Sequence, residues 1–168
     1  SPDARLKLEK VNPLAQVPTL VMPDGSVMSE SAAITLLLAD ITGKDQLVPA
    51  AGAPERAKFL RWLIFIVANI YPTFTYADDP ARFVSVNAAR DPFRAATDAY
   101  AQKLWRQIEG EAGSPWFLGE RFSALDIYFD QAHFIRNFRQ MTGFTPSQFA
   151  DMQNEFGRIF YNQTISRA

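Results

Sequence analysis

Two short runs contain residues whose types and spacing can do chemistry: Gln16-Val17-Pro18, and downstream of it Glu30-Ser31. Pro18 has no N–H, and a cis bond before it would turn the preceding carbonyl sharply. Val17 would then offer its own N–H and C=O to something outside a sheet, so that a short peptide can pair there as an added strand. Glu30-Ser31 stands where a helical pattern begins. The free N–H groups of a helix start, the Ser31 hydroxyl and the helix dipole favour a carboxylate, while Glu30 suits an ammonium. Each run alone has an ordinary alternative: Val-Pro begins a strand, and Ser31 caps a helix. Together they ask for a ligand with a peptide backbone at one end and an amino-acid head at the other.

The surrounding chain must position these runs. Residues 1–13 read as a short helix and loop broken at Asn12-Pro13. Val17 to Val21 is β-rich, Pro23-Asp24-Gly25 has turn chemistry, and Ser26 to Met28 reads as a second short strand, which together predict a β-hairpin. From Ser31 the period becomes helical, with Ile34, Leu37, Leu38 and Ile41 on one face and Thr42-Gly43 as the stop. Lys44 to Ala53, rich in Ala, Gly and Pro, reads as a linker. Pro54 then suits the first turn of a helix carrying the stripe Leu60, Leu63, Ile64, Val67, Ile70 and Tyr71, which Pro72 should kink or end. A further helix is predicted over 92–111, with Phe93, Ala96, Tyr100, Leu104 and Ile108 on one side, closed by Gly113-Ser114-Pro115.

Asn12-Pro13, Gln16-Val17-Pro18, the Asp24-Gly25 turn and Glu30-Ser31-Ala32-Ala33-Ile34 resemble the second half of the thioredoxin-like domain of cytosolic glutathione transferases. Glutathione has the peptide backbone and amino-acid head that the two runs ask for. The resemblance implies that Val17 pairs with the cysteinyl backbone of glutathione and that Glu30 and Ser31 hold its γ-glutamyl group, with Gln16 and Pro18 in support. It continues through Trp116-Phe117-Leu118-Gly119 and Phe122-Ser123-Ala124-Leu125-Asp126-Ile127, to about residue 128. Physics explains the last of these: Ser123 is an N-cap, Asp126 at N3 returns the bond, and Phe122 can staple onto Ile127.

By that resemblance the fold is α/β plus all-α. Residues 1–42 would be a partial thioredoxin-like domain of hairpin and helix, 43–53 a linker, and 54–168 an all-helical domain. A strand, a helix and another strand would precede residue 1 in the family and carry the Tyr, Ser or Cys that activates the thiol; no residue here corresponds to it. With the opening Ser-Pro-Asp-Ala, this leads us to expect a fragment lacking its catalytic residue. The resemblance further implies glutathione as co-substrate, a small hydrophobic electrophile as the second partner, a co-substrate pocket drawing on Tyr71, Phe74 or Tyr76, a homodimer when complete, and a cytoplasmic setting.

Residues about 128–149 resemble something else, the second helix-turn-helix of AraC-type transcription regulators: Asp130 through Arg139, then Thr142-Gly143-Phe144-Thr145-Pro146 and Phe149. Gln131, Arg136 and Arg139 would face a DNA groove or its phosphates. Two rival functions follow, a DNA-binding regulator and a non-catalytic glutathione-binding protein. Residues 130–168 hold four Arg against three acidic residues, so little of the electrostatic attraction behind DNA affinity is present.

Composition bounds the rest. With 168 residues, 48% of them hydrophobic and fourteen Phe, the chain can bury a real core. A net charge of −1 supplies no global field for nucleic acid or an anionic membrane, and no apolar run is long enough to span a bilayer. Without cysteine there is no disulfide, thiolate nucleophile or Cys-ligated metal, and the single histidine, His133, has no second ligand in sight, so no metal is expected.

Overall fold

Asn12 ends the first helix because Pro13 cannot continue it, and the chain then turns into a hairpin. The computed structural model describes the backbone of residues 2–142 and the side chains of residues 5–136. The elements are α1 (Pro2–Val11), β1 (Thr19–Val21), β2 (Val27–Ser29), α2 (Ser31–Thr42), α3 (Arg56–Phe65), α4 (Tyr71–Asp78), α5 (Arg90–Glu109) and α6 (Ala124–Thr142). Contacts divide them into two units: the chain up to Val67 with Glu111–Asp126, and Ala68–Gly110 with the chain from Ile127 onward.

The first unit contains the hairpin and α2. β1 and β2 pair antiparallel in the register Thr19↔Ser29, Leu20↔Met28 and Val21↔Val27. The turn is built as its residues dictate. Pro23 presets φ, the Gly25 N–H donates to Met22 O at 2.9 Å, and Gly25 takes φ 83°, the left-handed bulge position of a three-residue hairpin loop. Gly43 closes α2 at φ 62°, as a residue without a Cβ can.

In α3 the buried stripe is Phe59, Trp62, Leu63 and Ile66, while Ile64 of the predicted stripe is 48% exposed. Pro72 neither ends nor visibly breaks the helical run. A π turn at Ile66–Ile70 widens the backbone just before it, and Pro72 falls in the first turn of α4, where a missing N–H goes unfelt. Pro54 lies outside α3, with Glu55 as its N-cap.

The loop of residues 110–123 is fixed by one carboxylate. Asp126 Oδ1 accepts the Phe117 N–H at 2.6 Å, and Oδ2 accepts the Ser123 N–H at 2.8 Å and its hydroxyl at 3.1 Å. The return bond expected of a capping box is therefore present. The Ser123 hydroxyl, however, turns to the carboxylate, and the Asp126 N–H meets the Ser123 carbonyl at 3.1 Å. Phe122 packs edge-on against Trp116 at 4.9 Å, and Ile127 is 49% exposed, so the predicted staple is replaced by an aromatic pair. Gly113 admits no side chain, since a Cβ there would meet Gly119 N and Trp116 O at 2.8 Å.

In the second unit, Ile70, Ala77, Leu104, Trp105, Ile108 and Ala132 are buried, and Trp105 meets Phe129 and His133 at 5.9 and 4.8 Å. Among the described residues no helix is long and apolar enough to cross a membrane. Residues 143–149 of the regulator-like segment lie outside the described residues.

Asp126→Ala leaves two buried N–H groups without an acceptor, and a loss on the order of 3 kcal/mol is expected from that. A lowered urea midpoint with an unchanged slope would bear this out.

Candidate functional site

The hairpin register decides how the two runs are related. Thr19 faces Ser29, so the same register carried outward leads Pro18 toward Glu30 and Val17 toward Ser31. Both runs therefore lie at one end of the hairpin, opposite its turn. Val17 is 81% exposed, and among the described residues neither its N–H nor its C=O has a backbone partner. The Val17–Pro18 bond is cis, the isomer the sequence reading allowed for.

On the other side, Glu30 is the N-cap of α2 at φ 71°, ψ 102°, and its side chain makes no capping bond. A non-glycine residue there costs on the order of 1–3 kcal/mol, and such strain is characteristic of ligand clamps. Ser31 is the first residue inside the helix. Its hydroxyl is thus no N-cap, contrary to the ordinary alternative. The first amide to find a carbonyl is that of Ile34, bonded to Glu30 O at 3.0 Å. Among the described residues the N–H groups of Ser31, Ala32 and Ala33 are unpartnered, with the helix dipole behind them.

Asn12 braces the first run, a role that sequence reasoning missed. It is 7% exposed; its Nδ2 donates to Gln16 O at 3.0 Å and Thr19 Oγ1 at 3.1 Å, and its Oδ1 accepts the Leu14 N–H at 3.1 Å. The Thr19 hydroxyl donates to the same Gln16 carbonyl at 2.8 Å. Gln16 thus contributes a fixed backbone, which sets the direction in which Val17 leaves. Read from the sequence, Asn12 before Pro13 signals only a helix stop; nothing local tells that its amide turns inward.

The aromatic candidates separate. Tyr76 lines a cleft of about 520 Å³ with Pro72, Phe83, Phe93 and Tyr100, and meets the Phe83 ring edge-on at 4.8 Å. Tyr71 instead lies against Tyr128, ring centroids 6.4 Å apart, with its hydroxyl 3.2 Å from Gln131 Oε1 and 3.4 Å from the Tyr128 carbonyl. Phe74 lies beside Tyr71 at 6.5 Å. Burial, with a smaller effect from Tyr128, raises the Tyr71 phenol from 10.0 to about 12, so at neutral pH it is a donor and no base.

Of the groups proposed to face DNA, Gln131 takes the Tyr71 hydroxyl. Arg136 donates to Glu109 Oε1 at 2.6 Å while its guanidinium lies 4.5 Å above the Trp105 ring. The Arg139 side chain lies outside the described residues. His133 Nε2 is 3.0 Å from the same Glu109 oxygen. Among the described residues no group of three His, Cys, Asp or Glu could hold a metal.

Residues 1–41 match the family Glutathione S-transferase, N-terminal domain. The chain is 36% identical over 126 residues to the uncharacterized GST-like protein YncG of Escherichia coli K12, covering 74% of this chain and 60% of that protein. It is 30% identical over 121 residues to the glutathione S-transferase GstA of Escherichia coli O157:H7, covering 70% and 56% respectively. It therefore spans less than two thirds of either relative. The bacterial GST BphK, solved as a ternary complex, superposes with a TM-score of 0.60 at 28% identity over 90% of this chain and 71% of that one.

Two measurements check the geometry. Asn12→Ala removes the brace, and a loss of about 1–3 kcal/mol is expected, with faster amide exchange at Leu14 and Thr19 than elsewhere. For Tyr71 the sign is set by a folded value above the unfolded one. Its contribution is whole below pH 10.0 and is lost as pH rises toward about 12, because only the unfolded chain has released the proton. In Tyr71→Phe the urea midpoint should fall less steeply across that window.

Proposed function

We propose, for a chain related to the glutathione S-transferases by sequence and built on their fold, that it docks glutathione at the open end of its hairpin. In this reading Val17 pairs through its N–H and C=O with the cysteinyl backbone of the tripeptide. Ser31, with the free amides of α2, takes the γ-glutamyl carboxylate, and Glu30 takes its ammonium. Gln16 and Pro18 hold Val17 in position. The observation that supports this most is the register: Thr19↔Ser29 leads Val17 and Ser31 toward the same end, each with unpartnered polar groups.

The activity that follows is transfer of glutathione to a small hydrophobic electrophile, in which the thiol sulfur bonds to the electrophilic carbon. No residue of the chain is assigned to activating the thiol. The apolar co-substrate would draw on the surface around Tyr71, Phe74 and Tyr76, of which Tyr76 opens onto the cleft. A homodimer in the cytoplasm completes the reading. Of its rivals, a glutathione-binding protein without turnover shares the same docking residues. A DNA-binding regulator rests on the 128–149 resemblance alone; within it Arg136 is already neutralised by Glu109.

Retention on immobilised glutathione is the test. The unmodified chain should bind and be eluted by free glutathione. Ser31→Ala, which deletes one donor to a charged group, should bind about tenfold or more weakly, equivalent to about 1.5–3 kcal/mol. No retention of the unmodified chain would overturn the proposal.

A further inference from the structure

The hairpin turn, at the far end from Val17 and Ser31, presents an aspartate followed by glycine in the open. Asp24 is fully exposed, and a Cβ built on Gly25 would meet nothing within 4 Å. An aspartyl side chain followed by an unhindered glycine amide has a reaction available to it. The Gly25 nitrogen attacks the side-chain carbonyl carbon of Asp24, the N–C bond closes a succinimide, the amide proton and the carboxyl hydroxyl leave as water, and the original chain stays intact. Water then reopens the ring. Attack at the backbone carbonyl leaves isoaspartate, with the main chain routed through the side-chain carbon; attack at the other carbonyl returns aspartate. Each atom lost in closure is regained on opening, and no oxidant or reductant enters.

Two contacts hold this reaction back. Asp24 Oδ1 accepts the Ser26 N–H at 2.9 Å and the Ser26 hydroxyl at 2.6 Å. The Gly25 N–H is itself engaged by Met22 O at 2.9 Å and must be freed before its nitrogen can attack. We propose that Asp24 is a site of spontaneous isoaspartate formation and that the Ser26 hydroxyl is the group that slows it. The hydroxyl acts in two ways: it fixes the carboxylate toward Ser26, and it favours the ionised form, which has no leaving hydroxyl. The Ser26 hydroxyl, followed by its amide, accordingly holds the Asp24 carboxyl below its ordinary 3.8. Isoaspartate would insert an extra carbon into the loop that closes Val21 onto Val27, the last rung before the turn.

The whole chain, kept at near-neutral pH and physiological temperature, is sampled over weeks, and isoaspartate at position 24 is quantified by fragmentation mass spectrometry. Native protein should accumulate it slowly, Ser26→Ala several-fold faster, and Ser26→Thr, which keeps a hydroxyl, at the native rate. Equal rates in native protein and Ser26→Ala would overturn the proposal, as would a Ser26→Thr rate matching Ser26→Ala, or no isoaspartate at position 24 in any form. If Ser26→Ala does not fold, the native chain is compared with itself in urea. Faster formation in urea supports the restraint, and an equal rate overturns it.

Discussion

Three rungs of antiparallel pairing determine how the candidate site is put together. Thr19↔Ser29, Leu20↔Met28 and Val21↔Val27 fix the relation of two segments that are otherwise separate loops. A shift of one residue would exchange the faces of every side chain in the ladder and move Val17 out of line with Ser31. The hairpin is short, so it relies on what flanks it. At the site end the buried Asn12 amide holds Gln16 and Thr19 together, and at the far end Pro23, Asp24 and Gly25 set the turn. A two-stranded ribbon alone is marginal in water. Here its two ends are tied by polar contacts that a slipped register could not satisfy.

The same division of labour appears in the helical part, where single polar groups fix what apolar burial leaves loose. Trp62, Leu63 and Ile66 supply area removed from water, and area has no preferred direction. Direction comes from Asp126, whose two oxygens collect the Phe117 amide and both donors of Ser123 and so set where α6 begins. Pro72 gives direction of another kind. Its ring is accommodated by widening the preceding turn, and the chain proceeds through Ile66–Ile70 into α4 without a break.

Much of this could be read in advance where the controlling physics is local. The Asp24-Gly25 turn, the start of α2 at Ser31, the stop at Gly43 and the Ser123–Asp126 pairing all follow from residues within a few positions of each other. What could not be read depends on contacts between distant residues or on backbone choices with no residue signature. Ile64 fits the helical stripe by spacing yet faces outward, because burial follows what packs on α3. Asn12 looks like punctuation and is a brace. Tyr71 and Tyr76 look alike in the sequence; only the partner Gln131, sixty residues away, separates a committed hydroxyl from a ring on a cleft. The positive φ of Glu30 has no residue signature at all, since glycine is the residue normally expected there.

The central claim is spatial: one tripeptide touches both ends of the two runs at once. Amide chemical shifts of the isotopically labelled chain, followed as glutathione is added, test it most directly. The account predicts that the largest changes fall together on Val17, Ser31 and Ala32, saturate along one binding curve, and are absent from the turn at Asp24 and Gly25. Changes confined to only one of the two runs, or centred elsewhere in the chain, would contradict it.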